Sequence, residues 1–160
     1  MQTELRQQLT AEFVGTFMLV LAGCGAIVFN DISGGAIGHA GIAATFGLVV
    51  MTGIYAVGDT SGAHFNPAVT LAFAASGRFA KRKVAPFWAA QLAGAILAAA
   101  ILKIYAPEHQ TLGATVPAMD VWRVALLELI LTWWLVVVIM SVATGAKEKG
   151  LFAGIAIGAT

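Results

Sequence analysis

Four apolar runs, at 9–29, 36–57, 84–105 and 121–142, dominate the 160-residue chain, and each is about one bilayer thick. A helix rises about 1.5 Å per residue and needs roughly 20 apolar residues to cross a hydrocarbon core of about 30 Å. Only 11% of the residues are charged, against roughly 25% in a soluble domain. The chain therefore reads as an all-α polytopic membrane protein. A fifth run starts at 151 and reaches only 160, half a span.

The connections set the orientation, because Lys and Arg favour the cytoplasmic side of short loops. Arg6 precedes the first run, Arg78, Lys81, Arg82 and Lys83 follow the second, and Lys147 and Lys149 follow the fourth. If the spans alternate, these seven of the nine basic residues share one side, and the N-terminus is expected in the cytoplasm. The net charge of +1 offers no basic stripe for nucleic acid, so no nucleic-acid partner is expected. A single cysteine, Cys24, cannot close an internal disulfide, and no Cys/His cluster has metal-ligand spacing. No metal and no cofactor are expected. Leu21-Ala22-Gly23-Cys24 has the look of a lipoprotein cleavage box, but Glu4 and Glu12 in and around the leader, and three further spans, argue against it.

Between the second and third runs lies a segment too apolar for a loop and too short for a span. Asn is a favoured N-cap, Pro a favoured first helical residue and Gly a favoured stop. Asn66, Pro67 and Gly77 thus punctuate a helix over 67–76, about 15 Å long, half the hydrocarbon thickness. Its N-terminus, with unsatisfied N–H groups and positive dipole end, is placed near the midplane. Backbone of that kind is tolerated at such depth only where it lines a cavity or is buried in protein. The extended stretch of Gly62, Ala63, His64 and Phe65 carries the same demand, and a polar pathway through the bilayer follows.

Ser61-Gly62-Ala63-His64-Phe65-Asn66-Pro67-Ala68-Val69-Thr70 resembles the first Asn-Pro-Ala box of the aquaporin and glycerol-facilitator (major intrinsic protein) family. Ala11-Glu12-Phe13-Val14-Gly15-Thr16-Phe17, Gly47, Ala90-Gln91-Leu92-Ala93-Gly94-Ala95 and Glu128 fall in register with it, and bacterial aquaporins are the members it looks most like. The resemblance implies an inverted-repeat helical bundle with re-entrant half-helices. The repeat is visible within the chain: Glu12-x-x-x-Thr16-Phe17-x-Leu19-Val20 is echoed by Glu128-x-x-x-Thr132-Trp133-x-Leu135-Val136, and Gly41-Ile42-Ala43 by Gly154-Ile155-Ala156. The offsets, 116 and 113 residues, put a second half-helix near position 180. The expectation is one aquaporin-like domain, incomplete in its fifth span, read as a fragment or a truncated product.

By that resemblance the function is passive water conduction with protons excluded. Asn66 would donate its amide to a passing water, with Pro67 and Ala68 setting the helix start beside a second half-helix. Carbonyls of Gly62, Ala63 and His64 would form a ladder of acceptors. Phe46 matches a selectivity-filter position, and Glu12 and Glu128 are expected to face protein and support the pore loops. Partners are water, with glycerol or another small neutral solute as alternatives, the lipid bilayer and three further copies in a homotetramer. No catalytic residue is assigned. A bacterial inner membrane is the implied location. Asp59 and Thr60 depart from the family's usual residues before the Ser-Gly pair. A truncated non-conducting product and a secondary transporter working through Glu12 and Glu128 stay open as rival readings.

Overall fold

The computed structural model describes residues 2–143 and 150–160, so the orientation argument from Lys147 and Lys149 lies outside the described residues. Every regular element among the described residues is helical: α1 (Gln2–Ile32), α2 (Gly38–Ser61), α3 (Pro67–Ala75), a 3-10 turn (Lys81–Lys83), α4 (Val84–Tyr105), α5 (Val121–Ala143) and α6 (Ala153–Ala159). Four of them, α1, α2, α4 and α5, are long and apolar enough to cross a membrane. The all-α membrane fold expected from the apolar runs is the fold observed.

Helix α1 lies at the centre, packed against α4 on one side and α2 on the other, and α2 in turn carries α6. Lipid tails are as apolar as Leu, so helices associate in a bilayer where small residues let backbones come close. Gly94 of α4 shows the requirement: a Cβ there would strike the Phe13 carbonyl oxygen and come within 3.0 Å of the Phe17 nitrogen on α1. Gly47 of α2 and Gly158 of α6 meet backbone to backbone, and a Cβ on either would collide with the other's carbonyl. Large apolar side chains such as Ile96, Ile104, Trp122 and Leu129 point outward, as a lipid-facing surface requires.

Helix α2 runs past the apolar stretch through Asp59 and Thr60 and stops at Gly62, whose φ of 89° and N–H bond to the Gly58 carbonyl (2.8 Å) form a left-handed C-cap. Only glycine adopts that conformation without cost. The short helix α3 then starts at Pro67 and packs on α4. After it, the backbone N–H groups of Arg78 and Phe79 both donate to the Phe73 carbonyl (3.0 and 3.1 Å), which folds the chain back toward α4.

At the opposite end, the connection from α4 to α5 is tied to α1. His109 Nε2 lies 3.1 Å from Asp31 Oδ2 while its Nδ1 accepts from the Leu112 N–H at 3.0 Å. Beyond it Gly113, with φ of 77°, presses on Cys24, where a Cβ would come within 2.8 Å of that residue's backbone and side chain.

Candidate functional site

The segment between α2 and α3 is held by one side chain from α1. Glu12 is fully buried. Its Oε1 accepts from Ser61 Oγ (2.7 Å) and the His64 N–H (2.9 Å), and its Oε2 from the Phe65 N–H (2.8 Å) and Gln91 Nε2 (2.7 Å). Ser61 Oγ in turn accepts from the Ala63 N–H at 3.0 Å. Three consecutive amides, Ala63, His64 and Phe65, are thereby captured. Hydrogen bonds to a carboxylate are about twice as strong as neutral ones. That matters because Ala63 and Phe65 sit at φ of 49° and 50°, a left-handed conformation that costs a non-glycine residue roughly 1–2 kcal/mol.

With their N–H groups bound inward, the carbonyls of Gly62, Ala63 and His64 accept no hydrogen bond from any other described residue. The same segment lines a groove of about 810 Å³, shared with α2, α5 and α6. Phe46 and Gly47 contribute to its wall. The Phe46 ring is half-buried and leans into the gap left by Gly23.

Asn66 adopts the extended conformation of an N-cap (φ −148°, ψ 128°), and its Oδ1 accepts from the Ala68 N–H at 2.8 Å. Pro67 is the first helical residue, where a missing N–H costs nothing, and its carbonyl accepts from Trp88 Nε1 at 3.1 Å. The Asn66 amide nitrogen has no partner among the described residues, and Asn66 lines the groove. The cap and the free donor are opposite ends of one amide.

His64 lines the groove at a cluster of aromatic rings. Its ring stacks on Phe73 (4.8 Å between centroids, 5° between planes) and meets Phe79 and Phe87 edgewise or tilted at 4.9 and 5.4 Å. Its Nδ1 lies 3.1 Å from Thr70 Oγ1. Thr70 donates to the Asn66 carbonyl (3.1 Å) and accepts from Gln91 Nε2 (3.0 Å). Gln91 thus joins α4 to both α1 and α3. Its Oε1 is buried without a partner among the described residues, as is Thr16 Oγ1 one turn above Glu12.

The structure brings Glu12, Gly62, Ala63, His64, Asn66, Pro67, Ala68 and Phe46 around the groove or its supporting network. Glu128 stands apart, a difference from the expected burial: it lies exposed on α5 with no hydrogen-bond partner among the described residues. Gln91, Ser61 and Thr70 were not singled out as site residues by sequence reasoning. A lone amide inside an otherwise apolar span, as at Gln91, is the signal that could have marked one of them.

A family model described as Major intrinsic protein matches residues 1–160. The chain belongs to the major intrinsic protein family. It is 46% identical over 155 residues to Aquaporin NIP1-1 of Oryza sativa subsp. japonica, an alignment that covers 96% of this chain and 55% of that protein. It is 44% identical over 162 residues to Aquaporin NIP3-1 of Arabidopsis thaliana, covering 96% of this chain and 50% of the relative. Against Nodulin-26 of Glycine max the identity is 44% over 155 residues, covering 96% and 57%. The chain spans about half the length of the curated relatives it matches. These relatives are plant proteins, so the expected likeness to bacterial aquaporins is not borne out, and the bacterial inner membrane inferred from it has no support.

Proposed function

We propose that the groove is one half of a passive transmembrane pore that conducts water and excludes protons. The observation that carries this reading is Asn66, which lines the groove with its oxygen accepting from its own helix and its amide N–H groups without a partner among the described residues. A water that gives its oxygen lone pairs to such donors cannot accept from the next water, and the positive end of α3 repels a cation. The unpaired carbonyls of Gly62, Ala63 and His64 supply acceptors leading to that point. Single-file orientation without proton transfer follows.

In this reading a second half-helix, expected from the repeat near position 180, completes the pore opposite Asn66, and Glu128 supports its loop as Glu12 supports the first. Phe46 narrows the path, and the basic end of the chain faces the cytoplasm. The family resemblance supports a homotetramer with one pore per subunit, and a channel rather than an enzyme.

The test is osmotic shrinkage of vesicles reconstituted with the protein from its complete reading frame. Water flux that rises linearly with the osmotic gradient, without proton leak, supports the proposal. Flux that saturates or depends on a proton gradient overturns it in favour of a carrier. Asn66→Ala with undiminished water flux and intact proton exclusion refutes the role given to Asn66. Glycerol flux in the same vesicles measures whether the solute range extends beyond water.

A further inference from the structure

The turn between α3 and α4 carries a feature that pore function does not use. Arg78, Lys81, Arg82 and Lys83 lie within six residues. No Asp or Glu among the described residues comes within ion-pair distance of any of them. Lys83 is engaged by a neutral partner, Gln8 Oε1 at 2.9 Å, and Arg78 Nη1 lies 3.9 Å from the Met140 sulfur. Lys81 and Arg82 are exposed, with no partner among the described residues. Lys81, Arg82 and Lys83 also precede the N-terminus of α4, whose first turn holds no acidic residue. Their charge therefore adds to the positive end of the helix dipole instead of offsetting it.

The cluster is not a loose solvated run. Phe79, in its middle, turns inward and packs on Phe87 (4.7 Å) and His64 (4.9 Å). The Arg78 and Phe79 N–H groups are bound to Phe73, and the Lys83 N–H to Ala80 (2.8 Å). The backbone is thus pinned against the bundle, with a membrane-level apolar segment ending at Ala75 on one side and another starting at Val84 on the other. Four cations, with no acidic partner among the described residues, are thus held between two apolar segments of the bundle.

We propose that this turn is a docking surface for anionic phospholipid headgroups of the adjacent leaflet, with Arg78, Lys81 and Arg82 as the phosphate-facing cations. Juxtamembrane cations gain affinity for an anionic leaflet, about fivefold for each Lys or Arg near the surface. The interaction is independent of whether solute passes through the groove.

Trp88, at the start of the second turn of α4, is a built-in reporter. Trp122, Trp133 and Trp134 are 81%, 61% and 52% exposed, so replacing them by Phe leaves Trp88 as the single fluorophore at little structural cost. The chain is reconstituted in mixtures of brominated phosphatidylglycerol and phosphatidylcholine, and quenching of Trp88 gives the relative affinity of the two lipids. The expected result is a preference of about fivefold or more for the anionic lipid, falling to near unity in about 0.5 M salt, where screening extends over a few ångströms. The variant Arg78→Gln/Lys81→Gln/Arg82→Gln is expected to lose the preference while its quenching by brominated phosphatidylcholine is unchanged. Lys103→Gln/Arg123→Gln, which removes cations from the other end of the bundle, is expected to keep it. No preference in the parent chain, a preference insensitive to salt, or equal loss in the control variant overturns the proposal. If the triple variant fails to fold, the salt dependence of the parent decides.

Discussion

Glu12→Gln tests the support network with a change of one atom. The native carboxylate accepts at all four contacts, two of them from backbone N–H groups at 2.8 and 2.9 Å. An amide in its place keeps one oxygen for Ser61 and His64 and turns an NH2 toward Phe65 and Gln91, both of which donate. Gln91 can meet that NH2 with its unpartnered Oε1 by turning over, but only by giving up its donation to Thr70 Oγ1. Phe65 cannot, since a backbone N–H has no alternative. Stranding one buried donor costs about 1–3 kcal/mol. Lost charge assistance at the remaining bonds brings the total to about 2–4 kcal/mol. At tenfold per 1.4 kcal/mol, local opening then accelerates exchange of the Phe65 amide by about 30- to 1,000-fold. Hydrogen–deuterium exchange on the peptide covering 61–66, in detergent micelles, measures this directly. Unchanged protection of the Phe65 amide in Glu12→Gln, or of both the His64 and Phe65 amides in Glu12→Ala, would refute the claim that this carboxylate holds the loop.

Gly94→Leu is expected to drive α1 and α4 apart, because the new side chain meets the Phe13 carbonyl oxygen. Overpacking of this kind costs about 1–3 kcal/mol or more and should lower the thermal midpoint in detergent. Gly58→Ala, whose added carbon meets nothing closer than the Ile54 side chain at 3.8 Å, should leave that midpoint where it is. Thr70→Val removes the oxygen that serves Gln91, His64 and the Asn66 carbonyl and is expected to destabilise by about 1–3 kcal/mol; a midpoint equal to that of the parent would show those contacts to be dispensable. At His109, Nδ1 accepts from the Leu112 N–H and Nε2 faces Asp31; His109→Phe is expected to free the Leu112 amide and speed its hydrogen exchange, and an unchanged rate would argue against this latch.

How much was legible in the sequence follows from which forces act locally. Asn66 and Pro67 announce a helix start by chemistry confined to three residues, and α3 begins where that chemistry puts it. Apolar length alone exposed the spans, because a bilayer leaves a helix few alternatives. The ends of α2 were less legible. Asp59 and Thr60 are polar, yet they continue the helix until Gly62 can turn left-handed. The support network was hidden for a different reason. Glu12 could be recognised as an acid that must face protein, but its donors are 49 to 79 residues away in sequence, and no local pattern pairs them. His64 illustrates the same limit: an imidazole at membrane depth is visible in one dimension, whereas the three phenylalanines that enclose it come from α3, the following turn and α4.

The separations around Glu12 also fix the order in which the parts of its network are synthesised. Every group that donates to this carboxylate, at Ser61, His64, Phe65 and Gln91, is synthesised after it. Glu12 has therefore already been synthesised when the loop that it holds leaves the ribosome. Gln91 arrives last, on a helix whose insertion brings the fourth donor and the contact to Thr70 in one step. A chain interrupted before α4 would hold three of the four donors to Glu12 and lack both Gln91 and the tie from α4 to Thr70.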